Sequence, residues 1–158
     1  MTGAPGGVLV VGYGNGLRSD DGVGRVVAER LAADPRLHGV DVRSVHQLTP
    51  ELAFDASRVS LLVLVDAAED GAPGTVEVRQ VDAGDAGEVA GSAMTHQVDP
   101  AALAGLAREL FGAGPEVVAV RIGAATFEVG ESLSSAVEAA VPRAVDAVAG
   151  VIAGFGDA

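Results

Sequence analysis

Short apolar runs alternate with amphipathic stretches along the whole chain. Residues 8–11 and 61–65 are uninterrupted runs rich in valine and leucine, which is typical of strands buried on both faces of a sheet. Residues 40–45 and the apolar run at 117–122 predict two more strands, and the alternation over 75–81 predicts a strand nearer an edge. The sum is roughly five strands alternating with about four helices, which predicts a three-layer α/β/α fold with a mostly parallel sheet.

The predicted helices lie between these strands. The first follows the glycine-rich segment 12–22, and a short one contains Leu52 and Ala53. Another begins at Asp99-Pro100, a capping carboxylate followed by a proline suited to the first helical turn. The last occupies 137–152, where apolar residues recur at helical spacing.

Length and composition fit one globular unit. The chain has 158 residues, enough to bury a core without disulfides, and we expect a single domain over 1–158. Aromatic residues make up only 3% of the chain, although 49% of it is hydrophobic. The core must therefore consist of valine, leucine, isoleucine and alanine, which suits a parallel sheet covered on both faces.

The charge and the absence of cysteine narrow the choice of partners. A net charge of −12, from 22 acidic and 10 basic residues, disfavours nucleic acid and anionic membranes, so a protein or a small molecule is the expected partner. Without cysteine, a metal site must use oxygen or imidazole ligands. No apolar run is long enough to cross a bilayer, and the N-terminus has no signal-peptide pattern, so we expect a soluble, cytoplasmic protein.

The glycine-rich segment 12–22 stands where a dinucleotide-binding loop would stand, between a strand and a helix. It does not fit that motif, because Leu17 occupies the position of the third glycine and Asp20 and Asp21 would repel a pyrophosphate. We therefore expect no bound nucleotide cofactor. Adjacent carboxylates at a helix start cannot both point into one pocket, so we assign Asp20 to helix capping and Asp21 to function.

Asp66 and His96 complete a candidate set of metal ligands with Asp21. Asp66 follows the central apolar run, at the carboxyl end of a predicted strand, where ligands bind in open α/β sheets. His96 lies in the long loop before the third helix. Two carboxylates and an imidazole suit nickel or zinc with coordination positions left open. Taken singly, Asp66 also fits a turn residue and His96 a solvated histidine, and spacing alone does not show that the three converge.

Several ordered motifs resemble the hydrogenase maturation endopeptidase family. They span most of the chain, and the segment 130–138 before the closing helix is also similar to that family's C-terminal region. An ordered set of this kind is far more specific than any one of its members. The motifs are Gly12-Tyr13-Gly14-Asn15, Leu17, Asp20-Asp21-Gly22-Val23-Gly24, Val65-Asp66-Ala67 and His96-Gln97.

This resemblance implies a phosphorylase/hydrolase-like fold and an endopeptidase that removes the C-terminal extension of a nickel-loaded hydrogenase large-subunit precursor. Asp21, Asp66 and His96 match the positions of the family that contact the metal, and we expect them to be the catalytic and metal-binding residues. Nickel would come with the precursor, so the isolated protein, an expected monomer, could have an empty site or bind zinc or cadmium. Either a metal-bound water or a carboxylate acting as general base, as in an aspartic-type endopeptidase, would drive hydrolysis.

Two departures from the family pattern concern the site. Asp21 stands where many relatives have glutamate, which shortens the side chain by one methylene but keeps the oxygen donor. The segment 46–52, His-Gln-Leu-Thr-Pro-Glu-Leu, stands where many relatives have a glycine-threonine turn, and it resembles the branch that serves bidirectional, NAD-linked hydrogenases. His46 could be an extra ligand or support one, although an ordinary loop residue fits it better. Arg18 and Glu51 are candidates for contact with the substrate tail or, more simply, solvated loop charges.

Two alternative functions remain open at this point. A non-catalytic protein with the same nickel-recognising site could check or chaperone the precursor. A hydrolase of the same fold could act on another peptide. The presence of all three candidate ligands favours the protease.

Overall fold

The computed structural model describes residues 7–82, 98–112 and 114–156. Within them the strands are β1 (Val8–Tyr13), β2 (Asp41–Val45), β3 (Leu61–Ala68), β4 (Val76–Val81) and β5 (Glu116–Gly123). The α-helices of the same residues are α1 (Val23–Ala32), α2 (Leu52–Ser57), α3 (Pro100–Phe111) and α4 (Ser135–Gly156). Short 3-10 helices occupy Ser19–Gly22 and Pro35–Leu37.

The strands form one five-stranded sheet in the order β2-β1-β3-β5-β4. Four of its strands are parallel, and the edge strand β4 runs antiparallel to β5. The chain moves from β1 outward to β2 and then crosses back to β3 on the other side of β1, so the strand order reverses between β1 and β3. The crevice at the carboxyl ends of these two strands is where ligands bind in open α/β sheets.

Helices cover both faces of the sheet. One core cluster packs α1 and α4 against side chains such as Val10, Val63 and Val120. The second packs α2 and α3 against the opposite face, where Leu9, Leu62 and other side chains alternate with those of the first cluster. Valine, leucine, isoleucine and alanine make up both clusters, as the low aromatic content predicts.

The predicted fold class is confirmed, and the strand and helix pattern differs from the expectation in one place that concerns the site. The central strand was expected to stop before Asp66, but β3 continues to Ala68 because Asp66, Ala67 and Ala68 pair with β5. At α3, Asp99 caps the helix as predicted, since its Oδ1 accepts a hydrogen bond of 2.7 Å from the backbone N–H of Ala102.

The prediction of a single domain stays a prediction. Among the described helices, none has the length and apolar character needed to cross a membrane.

Candidate active site

A row of polar side chains crosses the sheet near the carboxyl ends of its parallel strands. Asp66 of β3 and Arg121 of β5 are register partners, and Arg121 is in turn the partner of Glu77 on β4. Tyr13 lies at the end of β1, one residue beyond Gly12, which pairs with Val65 of β3. The row therefore reaches from the crevice between β1 and β3 to the antiparallel edge of the sheet.

Asp66 is the most strongly perturbed carboxyl in this row. Its Oδ2 accepts a hydrogen bond of 2.8 Å from the Tyr13 hydroxyl. The pKa of Asp66 is raised to about 6, chiefly by burial. The charges of Asp21 and Asp70 act in the same direction, and the Tyr13 hydrogen bond and the Arg121 charge act against it. Burial and the neighbouring Asp66 charge also raise the pKa of Tyr13, so its hydroxyl remains a donor at neutral pH.

Asp21 reaches the same crevice from the loop that joins β1 to α1. Its Oδ2 accepts a hydrogen bond of 2.8 Å from the backbone N–H of Asn15, and its own N–H donates to the carbonyl of Arg18 at 3.1 Å. Gly14 makes this turn possible, because it has a φ of +147° and a Cβ there would lie 1.9 Å from the carbonyl oxygen of Asp21. The glycines of the motif therefore bring the Asp21 carboxylate to the crevice.

Gly24 brings α1 unusually close to the strand ends. A Cβ at this position would lie 2.3 Å from the carbonyl oxygen of Val65 and 2.6 Å from that of Tyr13. Only glycine allows this approach, which fixes the loop bearing Asp21 against the residues that precede Asp66.

The capping role predicted for Asp20 is wrong. No side-chain hydrogen bond caps the 3-10 helix or α1, and the buried Asp20 carboxylate instead binds a loop more than a hundred residues away. It accepts hydrogen bonds from the N–H groups of Ala125, Thr126 and Ser134 and from the Ser134 hydroxyl, at 2.7–3.2 Å. Burial opposes its ionisation, but these hydrogen bonds outweigh that effect and lower the pKa of Asp20.

The two loops joined by Asp20 form one wall of an open cleft. Backbone hydrogen bonds connect them further, from Ser19 to Gly130 at 2.7 Å and from Gly130 to Leu17 at 2.9 Å. The cleft has a volume of about 410 Å³. Its lining residues are Asp21, Ala67, Glu69, Asp70, Arg121 and Phe127.

The structure places two of the three predicted site residues together. Asp21 and Asp66 are close enough for the charge of one to raise the pKa of the other. In each carboxylate Oδ2 accepts a hydrogen bond, while Oδ1 accepts none of those formed among the described residues. The described hydrogen bonds therefore leave one oxygen of each carboxylate free, and the described part of the chain contains no group of three potential metal ligands.

His96 lies outside the described residues, but the chain just after it is described. The N–H of Val98 donates to the carbonyl of Leu48 at 3.4 Å, and the charge of Asp99 acts on Tyr13. The chain thus enters α3 beside the crevice.

His46 is exposed, and its carbonyl accepts a hydrogen bond from the N–H of Gly14 at 3.2 Å. Arg18 donates to the carbonyl of Phe127 at 3.1 Å, so it supports the cleft wall.

Sequence reasoning missed Tyr13 and Arg121 as site residues. Tyr13 is the chain's single tyrosine and stands inside the glycine-rich motif, directly after an apolar strand. Arg121 interrupts an otherwise apolar strand near its carboxyl end. A polar residue at the end of a buried strand was the signal that identified Asp66, and it applies equally to these two residues.

The fold and the site define a three-layer α/β protein with paired carboxylates in the crevice where the strand order reverses. Comparison with solved structures shows which proteins of this class have the same fold. The described fold matches a hydrogenase 2 maturation peptidase from a Thaumarchaeota archaeon, with 29% sequence identity, a TM-score of 0.71 and coverage of 93% of this chain and 98% of that one. These values confirm the family resemblance carried by the sequence motifs.

Two further neighbours share the fold. The nickel-iron hydrogenase maturation protease HycI from Thermococcus kodakarensis is 21% identical, with a TM-score of 0.71 and coverage of 95% of this chain and 94% of that one. The hydrogenase maturating endopeptidase HybD from E. coli is 24% identical, with a TM-score of 0.67 and the same coverage. No protein-family model and no curated protein matches the sequence. The neighbour with 29% identity is a peptidase, which confirms the predicted enzyme class.

Proposed function

We propose that the chain is an endopeptidase that removes the C-terminal extension of a nickel-loaded precursor of a nickel-iron hydrogenase large subunit. The observation that carries this proposal is the pair of carboxylates, Asp21 and Asp66, in the crevice of a fold shared with hydrogenase maturation peptidases. Each keeps one oxygen free of the described hydrogen bonds and can therefore bind a cation presented by a partner.

Nickel is part of the substrate in this proposal. Asp21 and Asp66 would supply oxygen ligands and His96 an imidazole nitrogen, a donor set that suits a borderline divalent ion. No thiolate of this chain is available, because it has no cysteine. Recognition of the bound ion would restrict cleavage to precursors that have already received it.

Two routes to peptide hydrolysis fit the site. The nickel of the precursor, once bridged to the protease, would polarise the scissile carbonyl or acidify a bound water. Alternatively, Asp66 would accept the proton of the attacking water, for which a pKa of about 6 is well suited near neutral pH. In both routes Asp66 must be ionised when the substrate binds.

A folded protein suits the surroundings of the cleft better than a small molecule. Beside Phe127, which lines the cleft, Val129 is 92% exposed, and Leu17 on the paired loop is 62% exposed. Exposed apolar side chains held on a fixed wall are typical of protein contact sites. We place this encounter in the cytoplasm and expect the free protease to be a monomer.

The test is cleavage of the cognate precursor, with and without nickel, by the wild type and by Asp21→Asn, Asp66→Asn and His96→Ala. We expect only the nickel-loaded precursor to be shortened, and each variant to lose at least about a hundredfold in rate, as for the loss of a general base or metal ligand. Asp146→Asn is the matched control, because Asp146 is 69% exposed and pairs with Arg36 on the surface of α4.

The same assay separates the protease from a protein that only checks the precursor. Binding of the nickel-loaded precursor by the wild type without any shortening would refute cleavage and establish the binder. Shortening of a nickel-free precursor at the full rate would instead contradict recognition through the metal.

A further inference from the structure

Tyr13 is held in place by the backbone packing around it. Gly12 precedes it, and a Cβ at Gly12 would lie 2.0 Å from the carbonyl oxygen of Gly24. A Cβ at Gly24 would in turn lie 2.6 Å from the carbonyl oxygen of Tyr13 and 3.0 Å from its nitrogen. The backbone of β1 therefore packs directly against that of α1 at Tyr13, and this contact fixes the position of the Tyr13 backbone.

The Tyr13 hydroxyl and the charge of Arg121 both act on the Asp66 carboxylate, but only the hydroxyl forms one of the described hydrogen bonds to it. It donates to Oδ2 of Asp66 at 2.8 Å. On the other side of Asp66, its register partner Arg121 donates to Asp70 at 3.1 Å and to Glu77 at 3.3 Å, so its guanidinium is turned toward β4 and the following loop. Without the hydroxyl, Oδ2 would lose its donor and Asp66 could rotate toward Arg121.

We propose that Tyr13 is the positioning residue of the cation-binding carboxylate, holding Oδ2 of Asp66 so that Oδ1 alone is presented to the metal of the precursor. This inference rests on the proposed function, since it concerns the same ion. Hydrogen bonds to a ligating carboxylate set its orientation, and their loss typically weakens metal binding by ten- to a hundredfold. A single presented oxygen also disfavours bidentate binding, which would use up a position needed by the precursor.

The composition supplies a direct optical signal for the test. Tyr13 is the only tyrosine and tryptophan is absent, so tyrosine fluorescence comes from this one side chain. A cation bound at Oδ1 withdraws charge from the carboxylate that accepts the Tyr13 hydrogen bond. We therefore expect cation binding to change the fluorescence of the wild type.

The experiment titrates nickel chloride into the full chain and follows the heat of binding and, for the wild type, the fluorescence. We expect Tyr13→Phe to raise the Kd for Ni²⁺ about tenfold and Asp66→Asn to raise it at least as much. Ser57→Ala is the control for loss of a hydroxyl, because Ser57 donates to the carbonyl of Phe54 within α2, in a different element from Tyr13 and Asp66. Circular dichroism and the thermal unfolding midpoint show that each variant is folded.

An unchanged Kd in folded Tyr13→Phe, or a wild type in which millimolar Ni²⁺ produces neither heat nor a fluorescence change, would overturn the inference. The precursor cleavage assay is separate from this titration. A wild type that cleaves the nickel-loaded precursor would keep the proposed function even if Tyr13→Phe binds Ni²⁺ normally. Conversely, Tyr13-dependent Ni²⁺ binding without any cleavage would remove the protease and leave the positioning role.

Discussion

At the scale of single residues, Asp66 is ionised in surroundings that favour its neutral form. Burial, followed by the Asp21 and Asp70 charges, raises its pKa from 3.8 to about 6, despite the Tyr13 hydroxyl and the Arg121 guanidinium. Such a shift has a thermodynamic consequence for the whole chain. When the pKa of a carboxyl is higher in the folded than in the unfolded state, the free energy of unfolding falls as the pH rises from the unfolded-state pKa to the folded-state pKa.

We expect metal-free Asp66→Asn to be more stable than the wild type at pH 8. The folded pKa of Asp66 is the higher one, so the wild type loses stability between about pH 4 and about pH 6, whereas asparagine carries no charge and still accepts from Tyr13. With allowance for partial solvent exposure, the difference at pH 8 is about 1–2 kcal/mol and disappears toward pH 4. Urea unfolding over this pH range measures it.

Asp146→Asn serves as the control for removal of a carboxylate charge, because the Asp146 carboxylate is 69% exposed. If Asp66→Asn were less stable than the wild type throughout the range, the Asp66 carboxylate would be a stabilising group, contrary to this account. If Asp66→Asn were more stable than the wild type but inactive, the Asp66 charge would lower stability and be required for activity.

Which residues could be predicted from sequence depends on how local their partners are. Asp21 and Asp66 could be identified, because a carboxylate after a glycine-rich turn or at the end of an apolar strand is visible in the sequence. The position of Tyr13 and Arg121 on either side of Asp66 could not be predicted in this way, because it depends on the strand order β1-β3-β5, which the sequence does not show. Asp20 was misassigned because its partners lie at 125–134, far beyond any local capping pattern.

At the scale of elements, the contact between α1 and the sheet explains the glycines of the motif. The pattern of apolar residues predicts that a helix follows β1, but it contains no information on how closely that helix packs. The structure shows that Gly24 lies against the backbone of both Tyr13 and Val65. The helix thus aligns the loop with Asp21 and the strand end with Asp66 at the same time.

We expect Gly24→Ala to destabilise the protein by about 2 kcal/mol and to slow precursor cleavage. The new methyl group would lie 2.3 Å from the Val65 carbonyl oxygen, so α1 must move away from the strands, at a cost typical of overpacking. Gly150→Ala is the matched control. Gly150 lies inside α4 with open space around its Cβ position, so alanine should stabilise it by about 0.5–1 kcal/mol.

Chemical denaturation of the two variants measures both effects, and cleavage rates under conditions where both are folded separate stability from alignment. Equal stability of Gly24→Ala and Gly150→Ala would show that α1 can shift without cost. Lost stability with a normal cleavage rate would show that the close contact matters for the fold alone.

At the scale of the whole molecule, the acidic excess sets the response to salt. With a net charge of −12, repulsion among carboxylates opposes the compact state, while the surface ion pairs of the described residues each contribute little. We expect the thermal unfolding midpoint to rise by a few degrees when sodium chloride increases from about 0.01 to about 0.1 M, since the Debye length falls from about 30 to about 10 Å.

Calorimetry in sodium chloride and in potassium chloride measures this rise and distinguishes screening from binding of a particular cation. Equal shifts in the two salts are expected. A midpoint that falls with salt would show that attractive ion pairs outweigh the repulsion.

The buried tether from Asp20 to residues 125–134 also determines when the cleft can form. In its buried position the Asp20 carboxylate would lack these hydrogen-bond donors until the segment containing Ala125, Thr126 and Ser134 has reached it. On the ribosome, β1 and α1 emerge early, yet the wall beside Asp21 must wait for a stretch synthesised more than a hundred residues later. Closing so long a loop is slow compared with local helix formation. The nascent chain therefore cannot present a finished peptidase cleft while most of its sheet is still being made.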